Sequence, residues 1–129
     1  MIALDASATV EWLLRSPRGL KVDRLVDADP ILVAPHLLDA EVAAVLRRAT
    51  LAGQLEAGRA ALALDTLAAS PIRRYPHGPM LRRAFDLRDN VSAYDAMYLV
   101  LAEALEATLV TADLRLARAA LGRVPTAVL

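Results

Sequence analysis

Cysteine is absent from the 129 residues, which excludes disulfides, thiolate metal sites, iron–sulfur ligation and cysteine nucleophiles together. An excess of charge is absent too, because fifteen basic residues balance fifteen acidic ones. A protein that holds nucleic acid by bulk charge alone carries a basic surplus, so that mode is excluded while a local basic rim is not. Lysine occurs once, at Lys21, and the other fourteen cations are arginine. The longest apolar run, Ala96 to Ala102, is seven residues, far short of the roughly 20 needed to cross a bilayer. The opening Met1-Ile2-Ala3-Leu4-Asp5 has neither a basic segment nor an apolar leader, so no signal peptide is expected and a cytoplasmic location is. The two histidines, His36 and His77, fit no two-histidine metal spacing.

What is present is largely apolar, with a hydrophobic fraction of 57%. The length suits a single domain over residues 1–129, able to bury a core without staples, with some apolar surface left for a partner. Short β-like runs alternate with helical stretches, the pattern of an α/β domain with a parallel sheet. The runs predict strands over 2–4, 31–34, 72–75, 108–111 and 126–128. Helices are expected over 8–14, 20–26, 36–51, 55–69, 79–88, 93–105 and 114–121, with Pro17-Arg18-Gly19 breaking the first and Gly53 stopping the third. Trp12, Tyr94 and Tyr98 fall at helical positions that read as packing.

Four carboxylates need explaining. Ligands of an open parallel sheet sit at the carboxyl ends of its strands, near the point where strand order reverses. Asp5 directly follows the first strand, and Asp113 lies two residues beyond the fourth. Both also precede helices, where a short acid caps free backbone N–H groups. Asp95 completes a capping box, Ser92-Ala93-Tyr94-Asp95, yet the helix it opens is apolar nearly all round and so should be buried. Glu41 falls between Leu37 and Val45 at four-residue spacing, on what reads as the apolar stripe of its helix. A carboxylate there costs several kcal/mol unless it is paired or bound to metal, a salt bridge to arginine being the plain explanation. Asp39 is the neighbouring candidate, with Glu41 favoured for its place on the stripe.

Magnitudes say what such a set needs if it converges. Two carboxylates about 5 Å apart repel by roughly 3 kcal/mol at an effective dielectric of about 20, and four multiply the cost. Oxygen donors without histidine or cysteine select Mg²⁺ or Mn²⁺. An acidic cluster holding such ions suits attack of water on a phosphodiester. Two other acid-bearing α/β designs fail on residues. A phosphorylatable receiver needs a lysine after a late strand, and Lys21 lies early; a haloacid-dehalogenase-type phosphatase needs Asp-x-Asp where Asp5-Ala6-Ser7 stands.

Asp5 in Leu4-Asp5-Ala6-Ser7, Glu41 in Asp39-Ala40-Glu41-Val42, Asp95 in Tyr94-Asp95-Ala96 and Asp113 in Thr111-Ala112-Asp113 resemble the four acidic positions of the PIN domain, most closely of VapC-type toxins. The resemblance spans essentially the whole chain. It implies a three-layer fold with a five-stranded parallel sheet in the order 3-2-1-4-5, which sets strands one and four side by side. It further implies Mg²⁺- or Mn²⁺-dependent endonucleolytic cleavage of RNA, homodimerisation and neutralisation by a cognate antitoxin. No membrane partner is implied, nor direct DNA binding without the antitoxin. Thr111 resembles the family's hydroxyl that supports the metal site, and Ser7 is expected to act likewise. Arg82, Arg83 and Arg88, ahead of the helix that carries Asp95, are expected to rim the site and position RNA phosphates. The competing reading is a non-catalytic interaction module whose acids bind an arginine of a partner peptide.

Overall fold

Ile2–Leu4 (β1), Leu32–Pro35 (β2) and Thr108–Thr111 (β4) are near-continuous apolar runs, and in the computed structural model, which describes all 129 residues, they form the buried centre of a sheet. Strands that read this way are covered on both faces, as parallel sheets require. Arg73–Tyr75 (β3) and Thr126–Val128 (β5) are more exposed and take the two edges. All neighbours pair in parallel, in the order β3-β2-β1-β4-β5. Ala3 stands opposite Val33 on one side and Leu109 on the other, so the chain order reverses at β1. The carboxyl ends of β1 and β4 therefore open side by side into the crevice where such sheets bind ligands.

Seven α-helices flank the sheet: Ala6–Leu13 (α1), Gly19–Ala28 (α2), Leu37–Leu51 (α3), Ala57–Ala69 (α4), Leu81–Asp86 (α5), Ala93–Ala104 (α6) and Leu114–Ala120 (α7). α6 is buried from Ala96 through Ala102, as its all-round apolarity requires, and packs on β1, β2 and β4. Parallel strands and connecting helices over both faces give the expected three-layer α/β architecture. No helix is long and apolar enough to cross a membrane.

Most departures from the predicted boundaries are shifts of one or two residues. α1 begins at Ala6 rather than residue 8 because Asp5 itself caps it. The single helix expected over 79–88 is instead a 3-10 turn, Gly78–Met80, followed by the short α5. Pro79 seeds the 3-10 turn, and the N–H groups of Leu87 and Arg88 reach back only three residues, to Ala84 and Phe85, which tightens and ends α5.

Candidate active site

Asp5 leaves β1 in extended conformation and caps α1, its Oδ1 accepting the Ala8 N–H at 2.8 Å. Two hydroxyls reinforce it. Ser7 Oγ donates to the carboxylate at 2.8 Å, and Thr111 Oγ1, from the end of β4, donates to Oδ2 at 2.5 Å. Their direction is fixed from behind, because Ser7 Oγ accepts the Ala112 N–H at 2.8 Å and Thr111 Oγ1 accepts the Asp113 N–H at 2.9 Å. With their acceptor sides so engaged, both hydroxyls turn their protons to Asp5. Asp5 is only 4% exposed, and burial pushes its carboxyl up to about 6, against the opposing effect of these donors and with a further upward push from Asp113.

The capping reading of Asp113 holds alongside any functional one. Its carboxylate accepts the Arg115 N–H at 2.7 Å and opens α7. Asp95 stands in the first turn of α6, where Ser92 Oγ accepts its N–H at 3.1 Å. The Asp95 carboxylate itself lines the crevice, with Ser92 also favouring its charged form. Burial raises its pKa, opposed by the nearby Arg115 guanidinium and reinforced by Asp113. Arg115 Nη2 lies 3.7 Å from Asp95 and 3.8 Å from Asp113, on a side chain that is 80% exposed.

Glu41 departs from its expected place. The buried row of α3 is Leu38, Val42 and Leu46, and Glu41 lies beside it with Leu37 and Val45, half-buried. No arginine pairs with it; the Tyr98 hydroxyl donates to its Oε2 at 2.7 Å. Asp39 turns elsewhere, into an ion pair with Arg74 at 3.0 Å.

Asp5, Glu41, Asp95 and Asp113, from four separate elements, line one cleft of about 250 Å³ with Ser7, Tyr98 and Arg48. A larger groove of about 480 Å³ between α1, α2 and α4 holds a single acid, Asp23, which accepts the Trp12 indole N–H at 2.7 Å. That groove lacks the donors for metal chemistry, which makes the acidic cleft the candidate site. As they stand, no three carboxylates form a ready-made cage for an ion. Mg²⁺ does not require one, since it keeps several waters and takes one or two protein carboxylates. The oxygen-only donor set, with no buried cation of the protein to neutralise it, fits such an ion.

Arg82, Arg83 and Arg88 are not brought to the cleft. Arg82 lies 3.8 Å from Asp86, one turn along α5, and Arg88 lies over the Phe85 ring. Arg83 binds Glu103 through two contacts of 2.9 Å. Glu103 is eight residues beyond Asp95 on α6, about 12 Å along the helix, so the pairing draws Arg83 away from the acids. Sequence reasoning missed three cleft residues. Tyr98 is one turn after Asp95, Arg48 two turns after Glu41, and Arg115 in the first turn after Asp113. Helical spacing counted outward from Asp95 and Glu41 finds the first two, whereas Arg115, two residues past the capping Asp113, stands at no such spacing.

The geometry agrees with what the chain is similar to. Residues 2–121 match the PIN domain family. The chain is 44% identical over 117 residues to Ribonuclease VapC1 of Mycobacterium tuberculosis, covering 90% of this chain and 88% of that protein. It is 43% identical over 116 residues to VapC ribonuclease Mb0985 of Mycobacterium bovis, with coverage of 90% and 88%. It is 35% identical over 118 residues to Ribonuclease VapC12 of Mycobacterium tuberculosis, with coverage of 92% and 91%. With nearly its whole length matched on both counts, the chain belongs to the PIN-domain family, among its VapC-like members.

Proposed function

We propose that this chain is a one-domain ribonuclease toxin that hydrolyses RNA phosphodiester bonds with Mg²⁺ or Mn²⁺ and is neutralised by a cognate antitoxin in the cytoplasm. The observation that carries the reading is the meeting of four carboxylates from β1, α3, α6 and β4–α7 in one cleft, without a buried protein cation to offset them. The names of the relatives, all ribonucleases, support the reaction class.

Asp5 and Asp113 would anchor the cation at the strand ends, and Glu41 and Asp95 would complete its surroundings and orient the attacking water. When bound, the cation supplies Lewis acidity, lowering the pKa of a coordinated water and offsetting charge on the phosphate oxygens. Ser7 and Thr111 serve by holding Asp5 in one orientation through hydroxyls that are themselves fixed by backbone N–H groups. Arg48 lines the cleft and Arg115 stands at its acids, so both are placed to meet RNA phosphates. A homodimer is supported by exposed apolar residues such as Leu81, Phe85 and Tyr94.

One observation favours a second reading. Arg115 already sets a guanidinium between Asp95 and Asp113, so the cleft is chemically suited to an arginine offered by a partner peptide. A single experiment separates the two. Protein freed of any antitoxin is incubated with total RNA and Mg²⁺ or Mn²⁺, with Asp95→Asn protein and EDTA as controls, and the ends are mapped by sequencing. Discrete cuts that vanish in both controls are expected. Folded wild-type protein that cuts nothing, and whose melting temperature ignores the metal, would leave the cleft as an arginine socket only.

A further inference from the structure

Tyr98 is 1% exposed on the most deeply buried helix of the fold. A phenylalanine would satisfy that position by shape alone, because a phenol in a core adds a polar atom that needs a partner. Its partner is Glu41 Oε2 at 2.7 Å, fifty-seven residues away in sequence and on a different helix. An ionised carboxylate only accepts, so the phenol is the donor. Glu41 has no other hydrogen bond or ion pair, and its half-buried side chain stands beside the buried row of α3 rather than in it. The other three acids each have part of their geometry fixed by a helix cap or a capping turn. Glu41 lies well inside α3, four residues past its start, and has no such device.

We propose that Tyr98 is the positioning residue of Glu41: its hydroxyl holds one carboxylate oxygen and leaves the other turned to the cleft shared with Asp5, Asp95 and Asp113. The inference rests on the metal-dependent reading above and adds the group that orders the one acid without a cap or capping turn. Side chains that orient metal-binding carboxylates in this way influence affinity by about 10- to 100-fold.

The test is Mn²⁺ binding to the full-length protein by calorimetry, without RNA, for wild type and Tyr98→Phe. Loss of one oxygen with the ring retained should weaken Mn²⁺ affinity by about tenfold or more. In RNA cleavage the same substitution should lower kcat at limiting metal and leave KM for RNA unchanged. Glu41→Asp, which retracts the carboxylate from the phenol but keeps its charge, should weaken binding similarly, and Tyr98→Phe should add little in that background. Replacement of Tyr98 by 4-aminophenylalanine keeps a donor and should retain affinity. Replacement by 4-fluorophenylalanine fills the space without a donor and should lose it, which covers any instability of the Phe variant. Wild-type affinity in folded Tyr98→Phe or 4-fluorophenylalanine protein, or additive losses with Glu41→Asp, would overturn the assignment and leave the ribonuclease reading standing. Absence of Mn²⁺ binding and of metal-dependent cleavage in wild type would instead overturn that reading, and the role of Tyr98 with it.

Discussion

Asp5 carries the sharpest conflict in the molecule, being almost fully buried and yet the acceptor for an amide and two hydroxyls. The donors favour the charged form and burial opposes it, and burial wins, moving the carboxyl from an ordinary 3.8 to about 6. The sign of the consequence follows from proton binding. The folded protein holds this proton more tightly than the unfolded chain, so stability is fullest below the unfolded value and falls as pH rises through the folded one. A displacement of that size corresponds to about 3 kcal/mol. In EDTA, urea unfolding should show stability lost between about pH 3.5 and about pH 6.5, with Asp5 contributing up to that amount. Asp5→Asn retains an acceptor for the Ala8 N–H and should flatten the curve. Parallel pH profiles for wild type and variant would show that Asp5 titrates in the ordinary range. A bound divalent cation would act on the same residue with the opposite sign, favouring the charged form, so added Mg²⁺ should move the loss of stability to lower pH or abolish it.

α3 shows how an element is positioned by something far away in sequence. His36 precedes it but supplies no side-chain cap; instead the Leu37 N–H donates to His77 Nε2 at 2.9 Å, from beyond β3. That bond ties the start of the helix bearing Glu41 to the edge of the sheet. His77→Ala should cost about 1 kcal/mol of stability, in the range of lost helix caps, with unfolding by urea as the readout. A cost below about 0.3 kcal/mol would mean that water replaces the imidazole. Neither histidine looked informative from metal spacing, and a cap supplied across forty residues leaves no local pattern to read. The elements themselves were legible because their signals are local: the central strands are short apolar runs, α6 is apolar on every side, and Asp5 and Asp113 are short acids ahead of helices. α5 misled for a related reason. Gly78-Pro79 looks like the start of a helix, and nothing nearby in sequence shows that it opens a 3-10 turn instead.

For the molecule as a whole, a net charge of zero limits how RNA can be held. The strand order entered through family resemblance rather than periodicity, and once strands one and four are neighbours the meeting of Asp5 and Asp113 follows. Cation placement did not follow in the same way, because an arginine's partner lies on another element. Arg83 is taken by Glu103 and Arg74 by Asp39, while Arg48 and Arg115 stand at the cleft. With two guanidinium groups at the site and about 0.7 counterion released per phosphate contact on a single strand, the slope of log affinity against log salt should lie between about −1 and −2. Fluorescence anisotropy of a short single-stranded RNA with Asp95→Asn protein, between about 50 and 200 mM salt, measures it. Arg48→Ala should weaken binding and make the slope shallower by about 0.7. A slope steeper than about −3 requires a longer basic track. Charge reversal at Arg82 and Arg83 then decides whether α5 supplies that track: unchanged binding and cleavage would dispose of those residues as RNA contacts, whereas a loss in both would extend the substrate path from the acidic cleft along α6 to Glu103.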